Sequence, residues 1–258
     1  MSRVLLPNVT LVCVEDGGEN KVRIASEIIK RLEELFRFHD TKLLSSCDLS
    51  GVTNKIFPIN TLEEYSVFIL NDLINYIDSE FVMIIQTDGY PLNPSAWSDI
   101  FLEYDYIGAP WSRLVSDNRL YSAPLVQPEV VTATRGMMVG NGGFSLRSRR
   151  LLESVASRNY KCEPLEWEGA DKKIAYNWKF SEDEYICKYL HRDLILDGFT
   201  FAPIEVAQLF STENDIWVGQ FGFHGRDTIE LNKKLGFFKF SEHAYENRDV
   251  VMSPSDIQ

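Results

Sequence analysis

Apolar residues in the first third of this chain alternate between continuous β-branched runs and helical spacing, and the changes of rhythm mark the elements. "NVTLVCVE" (8–15) predicts a buried strand, and Asp16, Gly17 and Gly18 behind it predict a turn. From Lys21 to Phe36 the residues Val22, Ala25, Ile28, Ile29, Leu32, Leu35 and Phe36 recur at helical spacing, a stripe to lay on a sheet. A weaker strand is expected around Thr41 to Ser45. "TLEEYSVFILNDLINYI" (61–77) then predicts a second helix, with Thr61 and Glu64 at capping-box spacing and Leu62, Tyr65, Ile69, Leu73 and Ile77 along one side. It leads into "FVMIIQ" (81–86), the most strand-like segment of the chain. Strands and helices alternating over short joints predict an α/β fold with a mostly parallel central sheet flanked by helices.

The second half is less regular. "DYIGAPW" (105–111) predicts a strand ending in a turn, and "MMVGNGGFSLRSRRLLESV" (137–155) a glycine-rich elbow leading to a helix that begins near Ser148. "FSEDEYICKYL" (180–190) predicts a short helix capped by Ser181.

Composition narrows the possibilities. A length of 258 residues, with 45% hydrophobic and 25% charged, suits one domain with a real core. A net charge of -12 argues against a nucleic-acid or anionic-membrane surface, so an anionic ligand needs local help from arginines or a divalent cation. The apolar segment of "MSRVLLPNVTLVCVEDGG" is short and interrupted by Pro7 and Asn8, so neither a secretory h-region nor a membrane span is expected there, and a cytoplasmic protein is expected. Cys13, Cys47, Cys162 and Cys187 lack zinc-site spacing and are expected as reduced thiols.

In α/β sheets ligands collect at the carboxyl ends of strands, and both Glu15–Gly18 and Thr87–Tyr90 are expected at that edge. Asp88 ends the "IIQTD" run, where a carboxylate can hold Mg2+ or Mn2+, and Gly89 lets the backbone approach a ligand. A simple Asp-Gly turn explains the same residues. In "VGNGGFSLRS", Asn141 sits among Gly140, Gly142 and Gly143, a segment able to expose main-chain groups to a polyol or simply to bend before a helix. Glu182, Asp183 and Glu184 crowd one helix start. Ser181 with Glu184 reads as a capping box, which leaves Glu182 and Asp183 for other work; mutual repulsion raises the basicity of the least solvated acid while the helix terminus lowers it, and the sequence does not fix which wins. His224 in "QFGFHGRD" is a candidate ligand or a packed histidine, whereas His39, His191 and His243 have no ligand-like neighbours. Trp111 is a sugar-stacking platform or a core residue, and Arg113, Arg135 and Arg147 are candidate phosphate or acceptor contacts.

Taken in order, "IIQTDGYPL", "YDYIGAPW", "VGNGGFSLRS", "SEDEY", "APIEVAQLFSTE" and "FGFHG" resemble a glycosyltransferase-like domain family of largely unassigned function among the GT-A enzymes, distantly similar to the β-1,4-galactosyltransferases. The resemblance runs from about residue 80 to 225. It implies a GT-A fold across 1–258, with a nucleotide-binding half at about 1–110, an acceptor-binding half at about 111–245 and a flexible tail at 246–258. It further implies a nucleotide-diphosphate sugar donor, a UDP-sugar, and a glycan or other hydroxyl acceptor. Val14, Glu15, Asp88, Gly89, Trp111, Asn141, Gly142 and Gly143 would meet the nucleotide sugar. Asp88 and His224 would hold Mn2+ or Mg2+, although Gln86 stands where such enzymes carry the first acid of their DxD motif. Asp183 would be the catalytic base and Glu182 its acceptor-orienting neighbour, in a transfer that inverts the anomeric centre. The alternatives are a metal-dependent phosphohydrolase of nucleotides or sugar phosphates and a non-catalytic sugar- or nucleotide-binding protein.

Overall fold

The computed structural model describes residues 3–49, 53–111, 138–161 and 181–236. Arg113, Arg135, Cys162, His243 and the tail 246–258 lie outside the described residues.

The chain forms a mixed α/β structure around a six-stranded, mostly parallel sheet. Its strands are β1 (Val4–Val14), β2 (Phe36–Ser45), β3 (Asn54–Lys55), β4 (Phe81–Ile85), β6 (Tyr106–Gly108) and β9 (Ser145–Ser148), in the order β3-β2-β1-β4-β9-β6. Between β4 and β6 in sequence lies β5 (Gly89–Pro91). The strands β7 (Pro110–Trp111) and β8 (Met138–Val139) pair with each other, and β10 (Ser211–Glu213), β11 (Gly222–His224) and β5 make a three-stranded sheet. β1 runs parallel to β2 and β4, whereas β9 is antiparallel to both β4 and β6.

Period-two alternation explains how the sheet is covered. Leu11 and Cys13 of β1, with Met83 and Ile85 of β4, face the core that takes Val22, Ala25, Ile28 and Leu32 of helix α1 (Glu19–Leu35). Val12 and Val14, with Val82 and Ile84, face the opposite core, against Ile69, Leu73 and Ile77. Each fully buried aliphatic side chain stabilises the fold by about 1.5–3 kcal/mol, before the conformational entropy lost on ordering the chain. The helical stripe ends one residue early. Phe36 is extended and opens β2, because its ring is buried from the sheet, edge-on to Phe221.

Helix α2 (Leu62–Val67) starts as expected. The Thr61 hydroxyl accepts the Glu64 N–H at 3.2 Å, and the Glu64 carboxylate accepts the N–H of Asn60 at 2.6 Å, one residue outside the expected box. The helix continues through a π turn, Phe68–Asp72, and a 3-10 turn, Leu73–Tyr76, which leads directly to β4.

Two expectations are corrected here. The glycine elbow does not lead straight into a helix: β9 intervenes, all four of its residues buried, before the helix Arg149–Ala156 that Ser148 caps through Leu151 N–H. A polar Ser-Leu-Arg-Ser string gives no apolar run to announce a strand. Ser181 and Glu184 do not form a capping box either. Both the Ser181 hydroxyl and the Glu184 N–H donate to Oδ1 of Asp183, and the Glu184 carboxylate takes Lys188 one turn on.

Candidate active site

Asp88 sits at the tip of a tight hairpin at the carboxyl edge of the sheet. Gln86 and Gly89 exchange both backbone bonds, Gln86 N–H to Gly89 carbonyl at 2.9 Å and Gly89 N–H to Gln86 carbonyl at 3.1 Å, leaving Thr87 and Asp88 as the connecting residues. β5 then pairs antiparallel with β11 so that Gly89 lies opposite His224, and β10 runs parallel to β11 with Glu213 opposite His224. One row across this small sheet therefore aligns Glu213, His224 and the hairpin that carries Asp88. His224 Nε2 stands 3.9 Å from Asp88 Oδ1 and 3.2 Å from Gln86 Oε1, and Nδ1 stands 3.0 Å from Glu213 Oε1. The Asp88 carbonyl also accepts the Gly225 N–H at 2.8 Å, tying the two segments together.

Burial opposes a charge on His224, yet the hydrogen bond and charge of Glu213, with Asp88 and Asp183 adding to them, hold its pKa above the ordinary histidine value. The Asn141 amide nitrogen donates to Glu213 at 2.7 Å and lies 2.8 Å from His224 Nδ1, while its carbonyl accepts the Phe144 N–H. Asn141 is thus built into the support of His224.

The glycines behind Asn141 are required by close approach. A Cβ on Gly143 would lie 2.1 Å from His224 Nε2 and 2.6 Å from Gln86 Oε1, and one on Gly142 would lie 2.0 Å from a Glu182 carboxylate oxygen and 2.9 Å from Asp183 Cβ. Gly142 donates its N–H to Asp183 Oδ2 at 2.8 Å, and its carbonyl accepts from Ser145 and Arg147. Two consecutive glycines therefore hold the His224 side of the site and the Asp183 side against each other.

The three acids at 182–184 have separate roles. Glu182 is buried and paired with Arg147, itself 0% exposed, at 2.7 Å. Glu184 is buried with Lys188. Among the described residues Asp183 forms no ion pair. Burial first, then the charges of Glu182 and Glu184, push its carboxyl up to about 7, against the opposing pull of the Gly142 N–H and Arg147. Arg147 is sealed beneath the glycine loop, over the Tyr106 ring and against Glu182, so it does not reach a phosphate.

Val14, Glu15, Asp16, Lys21, Asn60, Tyr65, Gln86, Asp88 and Arg226 border a cleft of about 340 Å³, within the range of small-molecule sites. Trp111 is half-buried outside this cleft. Its ring packs on Gly140, where a Cβ would come within 2.2 Å, and the Lys188 ammonium lies 4.8 Å from the ring centroid. Sequence reasoning missed Asp16, Gln86 as a contributor, and Glu213. Asp16 accepts from Ser45, from the N–H and hydroxyl of Ser46, and from Ile59 N–H, which joins the ends of β1 and β2 to the entry of α2. Those bonds outweigh burial and hold its carboxyl below the usual range. Its signal was its place after a buried strand, the same signal that singled out Asp88.

Among the described residues no group of three or more His, Cys, Asp or Glu side chains could hold a metal ion. No helix is long and apolar enough to cross a membrane, among those same residues. A family model described as "Protein of unknown function (DUF5672)" matches residues 50–224. None of the curated proteins matches the chain. Among solved structures, glucosyl-3-phosphoglycerate synthase from Mycobacterium tuberculosis, in complex with Mn2+ and uridine-diphosphate-glucose, is similar at 13% identity and a TM-score of 0.34, over 55% of this chain and 56% of that one. A structure described as a mycobacterial protein is similar at 15% identity and a TM-score of 0.36, over 57% of this chain and 55% of that one. The chain thus spans little more than half the length of the solved proteins it matches.

Proposed function

This chain belongs to the DUF5672 family, described as protein of unknown function, and we propose that it is a glycosyltransferase that moves a sugar from a nucleotide-diphosphate donor to a hydroxyl acceptor with inversion. One observation carries the reading. Asp88 at the rim of the cleft, His224 3.9 Å from it, and the carboxylate of Asp183, held by Gly142, are joined through the consecutive glycines 142 and 143.

The cleft would take the nucleoside diphosphate, with Lys21 and Arg226 beside its anionic part. Asp88 and His224 suit Mn2+ or Mg2+ in donor chemistry, a carboxylate oxygen and an imidazole nitrogen, and Gly143 leaves clear the space a Cβ would fill beside Nε2. Such an ion, when bound, supplies positive charge to a diphosphate in a protein of net charge -12. The acceptor oxygen forms its bond to the anomeric carbon as the bond from that carbon to the diphosphate breaks, the electron pair leaving with the diphosphate. Asp183 takes the hydroxyl proton. Its carboxylate is aimed by the N–H groups of Gly142 and Glu184 and by the Ser181 hydroxyl, and its raised pKa makes it a stronger base than an ordinary aspartate. Glu182 contributes by pairing with Arg147 beneath the loop.

The test is a thermal-shift panel of nucleoside diphosphates and their sugars, with and without Mn2+, followed by a transfer assay with the stabilising donor. Selective stabilisation by one nucleotide and loss of transfer in Asp183→Asn with donor binding retained are expected. A panel that leaves the melting point unmoved, or full turnover in the variant, overturns the reading.

A further inference from the structure

Among the described residues, Asp88 and His224 offer an ion one carboxylate and one imidazole donor, because Glu213 meets His224 on the opposite ring nitrogen. Gln86 stands on the same side as Asp88. Its amide nitrogen donates to the Tyr65 hydroxyl at 3.2 Å, which turns its carbonyl oxygen toward His224 Nε2, also at 3.2 Å. Ligand atoms about 2.1 Å from an octahedral ion are separated by about 3 Å when adjacent and about 4.2 Å when opposed. The 3.2 Å from Nε2 to Gln86 Oε1 is close to the adjacent spacing, and the 3.9 Å from Nε2 to Asp88 Oδ1 is nearer the opposed one. Gly143 belongs to the same arrangement, since a Cβ there would meet Nε2 and Oε1 together.

We propose that the side-chain carbonyl of Gln86, oriented by Tyr65, is a third protein ligand of the cation, beside Asp88 and His224. The inference rests on the glycosyltransferase reading and adds a property to it. With one carboxylate, one imidazole and one neutral amide, the three ligands themselves supply a single negative charge to a divalent ion. The ion alone is held weakly, and the diphosphate completes both its coordination and its charge balance. Cation and nucleotide therefore bind as a coupled pair, each tightening the other by the same factor. An acid in place of Gln86 would hold the ion without the nucleotide and relax that coupling.

The experiment is titration calorimetry of Mn2+, alone and with UDP present, on the full chain and on Gln86→Leu, Gln86→Glu and Asp88→Asn. The wild type should bind Mn2+ at least about tenfold more tightly with UDP than without, Gln86→Leu should lose most of that gain, and Gln86→Glu should bind Mn2+ alone more tightly. Electron–nuclear double resonance of Mn2+ bound to wild-type protein carrying side-chain 13C-labelled glutamine should show the coupling of a directly ligated amide, a readout that does not depend on the folding of any variant. If Asp88→Asn loses the ion while Gln86→Leu keeps wild-type affinity and no 13C coupling appears, Gln86 is not a ligand and the glycosyltransferase reading survives. If the wild type binds UDP with no dependence on Mn2+, the cation site and this inference fall together.

Discussion

Glu213 and His224 face each other across neighbouring strands, with Oε1 3.0 Å from Nδ1. A carboxylate on one imidazole nitrogen orients the ring and leaves the other nitrogen for a ligand, a common supporting arrangement at metal-binding histidines. Glu213→Gln should keep the fold and weaken Mn2+ binding in the presence of UDP by about 10- to 100-fold, read by calorimetry. An unchanged affinity would mean that His224 needs no such support.

Proton and cation compete for His224. Its folded pKa lies above the ordinary value, so at any given pH His224 holds its proton more firmly than a free imidazole does. Cation affinity should therefore rise with pH through and above the range where free histidine titrates, with a proton released on binding. Calorimetry in buffers of different ionisation enthalpy counts that proton.

Asp183 predicts two pH effects of linked origin. Transfer should rise with pH to a plateau, with a midpoint near its pKa of about 7, because only the ionised carboxylate accepts a proton. The sign for stability is the reverse. A carboxyl whose folded pKa exceeds its unfolded value contributes stability below the unfolded pKa, and that contribution is lost as pH rises from about 4 through about 7. Asp183→Asn should consequently gain melting temperature over the wild type at pH 8 and show little or no gain at pH 4. A constant difference between the two proteins across that range would contradict the assignment.

The ion pair Arg147–Glu182 is almost fully removed from water, with side-chain exposures of 0% and 6%. Arg147→Met alone should destabilise by about 3–5 kcal/mol, since Glu182 would be left buried without its partner, while Arg147→Met with Glu182→Leu should recover most of that loss. Denaturant unfolding separates the two. Equal losses in the single and double variants would show that the guanidinium stabilises through packing on Tyr106.

Gly143→Ala should cost about 1–3 kcal/mol and abolish Mn2+-dependent UDP binding, because its methyl group would lie 2.1 Å from His224 Nε2. Wild-type binding in that variant would show that the ring has room to move.

Local pattern made the covered sheet legible. The β-branched runs at β1 and β4 and the stripe of α1 each bury a whole face, and burial leaves a periodic trace in the sequence. β9 left none, because its buried residues are two serines, an arginine and one leucine, and what stabilises Arg147 there is Glu182, distant in sequence. The site divides in the same way. Asp88, Asn141, Asp183 and His224 stood out through their glycine and acidic neighbours, whereas Glu213 closes an ordinary amphipathic segment and Gln86 interrupts a motif.

By itself the sequence determined that β1 and β4 are buried strands and α1 a helix, that Asp88 follows the second of those strands, and which segment holds the glycines that leave room for close contact. Only the tertiary structure decided that β5, β10 and β11 pair so that Glu213, His224 and the Asp88 hairpin share one row, that Glu182 and Glu184 are taken up by Arg147 and Lys188 while Asp183 forms no ion pair among the described residues, and that Gln86 turns its carbonyl toward His224. The physical reason is range. Periodicity and capping act over a few residues, while pairing register and electrostatic partnership join residues far apart in the chain, whose meeting is fixed only when the whole core closes.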